Sequence, residues 1–421
     1  MSQPADRPTR ARFVLVLWLC GLAGVLYLDR LAMGQAAPAI QAELGLSNTG
    51  LSYAHIAFTL AYGLFEIPTG RLGDRVGARR VLTRIVLWWS LFTALTGVAF
   101  GLISLVVIRF LFGAGEAGAF PNTARVLSRW FPVTERGRVQ GLLLAAAQLG
   151  GVAAPVAAAY VIEHAGWRTT FALFGLVGIA WAAGFWWWFR DEPATHPSIN
   201  AVEAALIRAG AGEQPAHTDP IPWRAVARTP GFWILGLLMT CSAFNAYLYY
   251  SWFPKYLQAA HNLSNERSGW LGSLVLAGGA VGVLAGGVVA DWLLRAALPV
   301  VWARRLFGAT AYLAATACLV VAVRSEDPSA LAALIALANL AVHLTLPTWW
   351  SCAIEQSGRH VGALFGLMNT MGVIGALASQ WFVGWYADRR ADLGYSGREQ
   401  WDPMFDVYVG VLVVGAVAWA A

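Results

Sequence analysis

Charge is what this chain has least of. Only 12% of its 421 residues are charged and 58% are hydrophobic, whereas a soluble globular protein carries about 25% charged residues. That excludes a water-soluble enzyme. The net charge of +6 is spread in short basic runs between apolar segments, which is not the footprint of a nucleic-acid binder. Cysteine is also scarce. Cys20, Cys241, Cys318 and Cys352 stand singly inside apolar runs, which excludes a disulfide framework or a cysteine-ligated zinc and makes them small apolar side chains. There is no phosphate-cradling Gly-x-x-x-x-Gly-Lys-Ser/Thr loop, no metal-spaced His/Cys cluster and no nucleophile elbow. ATP hydrolysis and covalent catalysis therefore have no residues to run on, and no cofactor or metal is expected.

What the chain has instead is apolar length. A helix needs about 20 apolar residues to cross a bilayer, and runs of that kind fall at 13–40, 50–70, 81–99, 102–128, 139–161, 167–189, 231–257, 267–293, 304–324, 328–354, 360–386 and 404–421. The first has no small-residue cleavage site and carries Asp29 and Arg30, so it is a retained helix rather than a signal peptide. The last stops at Ala421 without a polar tail, and a further segment is expected beyond it. Between the sixth and seventh runs, 190–230 is rich in proline and mixed charge, with apolar periodicity only at 201–209. It reads as a linker. The chain is thus predicted to be an all-α membrane protein of twelve helices in two six-helix bundles, 1–189 and 231–421. Most of its 29 lysines and arginines fall on loops that share a side with the N-terminus, which predicts both termini to be cytoplasmic.

The two halves repeat one another. Gly70-Arg-Leu-Gly-Asp74-Arg75 follows the second run and Gly287-Val-Val-Ala-Asp291-Trp follows the eighth, 217 residues later. Gly137-Arg138 opens the fifth run and Gly358-Arg359 the eleventh, 221 residues later. Arginine pairs, Arg79-Arg80 and Arg304-Arg305, come after the first two. A duplicated architecture of this kind places a binding site near the membrane midplane, between the halves.

Ionised side chains in the middle of a spanning helix cost about 2.5–3.5 kcal/mol on insertion scales, and are kept where they face a protein interior, water or a substrate. Asp29, Arg30, Arg109 and Glu116 are such residues. Arg109 and Glu116 are seven apart, nearly on one helix face yet separated by about 10 Å along the axis. Each therefore needs a partner from elsewhere, and Asp29 and Arg30 are the candidates. Burial favours the neutral acid and a neighbouring guanidinium favours the ion, so Asp29 and Glu116 are assigned to proton exchange. Arg30 or Arg109 is assigned to the substrate anion, since arginine stays charged and grips carboxylates bidentately. Gln148, Asn245, Tyr249, Thr348, Trp349 and Asn369 interrupt apolar helix and could offer hydrogen-bonding groups and an aromatic wall. Interhelical bonding and the interfacial belt are the competing uses, and the belt takes Trp186, Trp187 and Trp188. Glu66, one turn before the glycine loop, could be interfacial; His343 could touch a cavity, although a satisfied interior histidine is the favoured reading; and Glu355 reads as a partner for Arg359 or the loop arginines.

The loop Gly70-Arg71-Leu72-Gly73-Asp74-Arg75-Val76-Gly77-Ala78-Arg79-Arg80 resembles the signature of the major facilitator superfamily. Arg109 to Pro121, Trp130-Phe131-Pro132 and Tyr27-Leu28-Asp29-Arg30 resemble the anion:cation symporter family within it, whose members include bacterial galactonate, glucarate and hexuronate carriers and the sialin-type carriers of animals. The resemblance covers essentially the whole chain, although Leu26 stands where that family usually has asparagine. It implies the major facilitator fold, a small organic anion such as a sugar acid as substrate, protons as coupling ion, a monomer, and a bacterial inner membrane. It also implies contacts to substrate from Tyr27, Gln148, Thr348, Trp349 and Asn369. The loop implies a gate formed by Gly70, Asp74, Arg75, Gly77, Arg79 and Arg80, with Asp291 as the counterpart in the second half. Export or exchange of another metabolite is the alternative, and a non-transporting receptor a more distant one.

Overall fold

The computed structural model describes residues 8–210, 223–293, 299–357 and 361–421, without the side chains of 67, 71, 73–75, 225, 361–363 and 365. Among the described residues there is no β-strand. The first half contains α1 (Ala11–Leu44), α2 (Asn48–Val76), α3 (Ala78–Thr96), α4 (Leu102–Glu116), α5 (Ala119–Trp130) and α6 (Val133–Trp188). The linker carries α7 (Ala201–Ala209) and α8 (Trp223–Arg228). The second half contains α9 (Pro230–Ser251), α10 (Phe253–His261), α11 (Asn265–Leu293), α12 (Val300–Arg324), α13 (Pro328–Leu344), α14 (Leu346–Ser357), α15 (Val361–Asp392), α16 (Gly397–Trp401) and α17 (Phe405–Ala420).

These helices assemble into the twelve rods that the apolar runs foretell. The long α6 is two of them, since Gly166 takes φ 78° and ψ 160° in its middle, a left-handed region open to glycine. The fourth rod is α4 with α5, broken at Ala117 and Gly118. The seventh is α9 with α10, the tenth α13 with α14, and the twelfth α16 with α17. Among the described residues, eight helical stretches are long and apolar enough to cross a membrane by length and composition.

Within each half, helices pack α1 on α6, α2 on α4 and α3 on α6, then α9 on α15, α11 on α13 and α12 on α17. Between halves, α6 meets α11 and α2 meets α15. These contacts gather at the far end, where α1 finishes and α2 starts. There a Cβ on Gly269 would lie 2.7 Å from Ala159 Cβ and 2.9 Å from the Pro155 carbonyl, so only glycine allows α11 to come this close to α6. Polar bonds cross at the same end. The Gln35 amide donates to Asn265 Oδ1 at 2.6 Å, the Ser52 hydroxyl donates to the Gln380 carbonyl at 2.9 Å, and Asp388 accepts from the Asn48 and Thr49 backbone at 3.0 and 2.7 Å. At the near end, where α1 begins, no polar bond between the halves joins the described residues.

The linker is tied to the first half. Glu203 of α7 is fully buried and accepts from the Thr9 hydroxyl at 2.5 Å and Arg12 Nη1 at 2.8 Å, while Arg12 also reaches Glu135 at 3.0 Å. His196 sets Nε2 on the Trp188 carbonyl at 3.0 Å and accepts the Ser198 N–H on Nδ1 at 3.1 Å. Those bonds require the neutral ring, and burial accordingly holds its pKa below the usual 6.5.

Candidate functional site

Asp29 and Arg30 are neighbours on α1, so they point about 100° apart. Asp29 turns towards α3, beside Trp89 and Thr93, and is fully buried. The Thr93 hydroxyl spends its proton on the Trp89 carbonyl at 3.0 Å, and neither Asp29 oxygen makes a hydrogen bond. Arg30 turns the other way, towards α2, α4 and the second half. Its Nε donates to Glu116 Oε1 at 3.0 Å and its Nη2 bonds the same oxygen. Glu116 Oε2 is buried without a partner. The Arg30 guanidinium also stands over the rings of Tyr62 at 5.0 Å, Phe58 at 5.2 Å and Tyr27 at 5.6 Å, within cation–π range.

Arg109, 1% exposed, lies over Phe112 at 4.3 Å and over Phe58 at 5.2 Å, and bonds neither acid directly. Its Nε and Nη1 have no hydrogen-bond partner, and its charged neighbours are Glu116, Asp29 and Arg30. Glu116 owes its position to the break in the fourth rod. Helix α4 ends on it, and Gly118 at φ 86° restarts the chain as α5, with the Asn122 amide donating to the Gly118 carbonyl at 2.8 Å. The result is a buried quartet of two acids and two arginines with no formal net charge, in which one ion pair is made and Asp29 and Arg109 have none.

Next to this quartet, a cavity of 390 Å³ lies between the halves. The first half supplies Tyr27, Phe120 and Gln148 to its wall, and the second half supplies Tyr250, His343 and Trp350. Tyr27 and Tyr250 also face Arg30, as does Tyr247, so the charged group and the cavity share a wall.

The sequence profile of the Major Facilitator Superfamily matches residues 19–380. The chain belongs to that superfamily. As a facilitator it is a membrane transporter and not an enzyme. It is 30% identical to a probable sulfoacetate transporter of Cupriavidus necator, over 97% of this chain and 93% of that protein. It is also 30% identical to a probable L-galactonate transporter of Escherichia coli, over 92% of this chain and 86% of that one. In fold it is similar to a bacterial homologue of the human lysosomal transporter Spinster, solved inward-facing and unoccupied, with a TM-score of 0.79, 19% identity, and coverage of 98% and 96% of the two chains.

The facilitator does not gather all the residues singled out from its sequence. Tyr27 and Gln148 line the cavity. Tyr249 and Trp349 do not: Tyr249 is 4% exposed and packs edge-on against Phe253, and the Trp349 indole donates to the Leu235 carbonyl at 2.8 Å. Their neighbours Tyr250 and Trp350 take the wall instead. Thr348 and Asn245 are buried in the second half, the latter donating to the Cys241 carbonyl at 3.3 Å, and Asn369 on α15 is half-buried outside the cavity wall. His343 is satisfied, its Nδ1 on the Asn339 carbonyl at 2.9 Å, and it also lines the cavity, so the two uses open to it in the sequence occur together. Tyr62, Tyr247 and Tyr250 were not singled out. Each interrupts an apolar helix with a hydroxyl, a signal shared by too many tyrosines to choose among them.

Of the loop residues, Asp74 and Arg75 have side chains outside the described set, and Gly70 packs on Pro121. Gly77, at φ 95°, lies against Asp191, which accepts the Arg79 backbone N–H at 3.0 Å. The Arg79 guanidinium stands over Trp186 at 4.3 Å, within its own half. Arg80 and Asp291 are exposed. Glu355 pairs with Arg304 at 2.7 Å, one of the loop arginines; Arg359 lies outside the described residues.

Proposed function

We propose that this facilitator is a proton-coupled symporter of small organic anions, working by alternating access, with Glu116 and Asp29 as proton carriers and Arg30 as the group that meets the anion. The observation that carries the reading is the neutral quartet beside the cavity. An anion entering a neutral, buried site adds an uncompensated negative charge, which is costly in low dielectric. A proton taken up by a carboxylate cancels it. Arg30 is the only member of the quartet that faces the cavity wall and holds an acid, so an incoming carboxylate or sulfonate competes with Glu116 for the guanidinium. Glu116, once released, is a buried carboxylate without a counter-ion and binds a proton. Asp29 stands behind it, already without a hydrogen bond, with Arg109 as the cation it shares with Glu116.

The relatives named for sulfoacetate and galactonate support an anion in the range from short sulfonates to sugar acids. Gln148, His343, Tyr27 and Tyr250 supply the hydrogen-bonding groups for the rest of the molecule, and Trp350 and Phe120 its apolar faces. From its basic loops we read the near end as cytoplasmic, with both termini on that side of a bacterial inner membrane and the protein a monomer. The tight packing at the far end then makes this an inward-facing state, and the loop from Gly70 to Arg80, with Asp291, acts when the near end closes.

The test is uptake into proteoliposomes of radiolabelled galactonate, glucuronate, sulfoacetate and succinate, with and without an inward proton gradient. Symport requires that at least one anion accumulate several-fold more with the gradient. Equal uptake in its absence for every anion carried would replace symport by exchange or export.

A further inference from the structure

On the outer wall of the first half, away from the cavity, α3 and the second limb of α6 enclose a groove of 690 Å³. Its floor is made shallow by Ala182 and Ala183, and its sides are Trp88 and Trp186. Both tryptophans are held in place: the Trp88 indole donates to the Leu111 carbonyl at 2.8 Å, and Trp186 lies under the Arg79 guanidinium. At the near end of the groove stand Arg80 and Arg84, both exposed. They are four residues apart and so on one face of α3. Neither has an ion-pair or hydrogen-bond partner among the described residues. The acid in the neighbourhood, Asp191, is already engaged by the backbone of Arg79, and the other charges around Arg79 are Arg80 and Arg190.

We propose that this groove is a binding site for one anionic phospholipid, its phosphate between Arg80 and Arg84 and an acyl chain along Ala182, Ala183 and Leu91. The dimensions agree. From Arg80 to Leu91 the groove follows α3 for about 16 Å at 1.5 Å per residue, close to the depth of about 15 Å of one leaflet's hydrocarbon. The arginines sit at the level of the headgroups and the apolar floor at the level of the chains. Two unpaired guanidiniums favour a headgroup of net negative charge, because a zwitterionic one would bring its own cation against them.

The second half shows what a satisfied arginine looks like. There α9, α12, α14 and α17 border a smaller groove of 290 Å³ lined by Arg304 and Arg305, and Glu355 engages Arg304 through both oxygens, at 2.7 and 2.8 Å. The first half has no described acid in that role, and the lipid phosphate takes it.

The experiment is native mass spectrometry of the detergent-purified protein after incubation with equal amounts of phosphatidylglycerol and phosphatidylcholine of the same chains. The wild type is expected to retain one phosphatidylglycerol with roughly 10- to 30-fold preference, from two arginines near the headgroup. The doubly substituted Arg80→Gln, Arg84→Gln protein is expected to lose the preference, and Ala183→Trp to lose the bound lipid with both arginines intact. Melting in detergent without added lipid, unchanged in the arginine variant, separates lost binding from unfolding. Equal retention of the two lipids by the wild type, or a preference that survives the double substitution, overturns the proposal. So does displacement of the lipid by millimolar inorganic phosphate, which would make free phosphate the ligand.

Discussion

Arg30 gives two of its nitrogens to a single oxygen of Glu116, Oε1, and leaves Oε2 buried and without a partner. A fork that matches only half of the carboxylate is an incomplete bidentate pair, open to exchange for an anion that offers both of its oxygens. Removing one partner of a buried pair costs about 3–5 kcal/mol because the other charge is stranded, whereas removing both charges can cost little. Arg30→Ala is therefore expected to lower the melting temperature strongly, and adding Glu116→Gln to restore most of it. Thermal unfolding in detergent of the two single variants and the double variant checks this, and additive losses would mean that the pair does not form.

Asp29 differs from Glu116 in having neither hydrogen bond nor direct ion pair. An unsatisfied buried polar group costs about 1–3 kcal/mol, more when charged, so its acid is kept for a reason other than stability. Asp29→Asn is expected to melt no lower than the wild type while losing gradient-driven accumulation at least tenfold. A variant that unfolds several degrees earlier, with coupling intact, would make Asp29 a structural residue.

Asp388 closes the far end by capping α2 from the other half, on the backbone of Asn48 and Thr49 and on the Asn48 side chain at 2.8 Å. A carboxylate at a helix N-terminus is worth about 0.3–2 kcal/mol, which is up to about 30-fold in a two-state ratio. Asp388→Ala is expected to shift the protein towards a state open at the far end. Spin labels at Ala42 and Leu393, on either side of that contact, report it in double electron–electron resonance as growth of a longer distance. An unchanged distance distribution would assign the closure to the Gly269, Gln35 and Ser52 contacts.

Trp349 and Trp350 separate cavity from core. Trp350→Ala is expected to raise KM for the carried anion about tenfold with little change in melting. Trp349→Ala removes a buried ring and its bond to Leu235, and a loss of about 3–5 kcal/mol in stability is expected. Transport kinetics and melting curves on both variants decide it, and the reverse pattern would exchange the roles given to the two residues.

These neighbours also mark the limit of what the sequence reveals. The twelve rods, the linker and the internal repeat follow from apolar length and from where charges and glycines fall, because lipid leaves the backbone few other forms. The quartet was legible for the same reason, since charge in an apolar helix stands out. Facing is harder to read. In helix α9 most positions are apolar or aromatic, so no polar stripe fixes the rotation, and in α14 two tryptophans stand side by side, so an error of one residue turns Tyr250 into Tyr249 and Trp350 into Trp349. The pairing inside the quartet depends on the break at Ala117 and Gly118, which ends α4 on Glu116 and has no counterpart in composition. His343 shows that two readings of one residue need not compete, because one hydrogen bond to Asn339 does not keep a side chain from also facing the cavity.

The central claim is that the anion displaces Glu116 from Arg30 and that a proton then enters with it. Substrate-driven proton influx, read from a pH dye trapped in proteoliposomes held at zero membrane potential, tests it most directly. The wild type is expected to acidify the lumen when the carried anion is added outside. Glu116→Gln is expected to carry the anion by exchange with no acidification. Acidification by Glu116→Gln at the wild-type ratio of protons to anion would contradict the account.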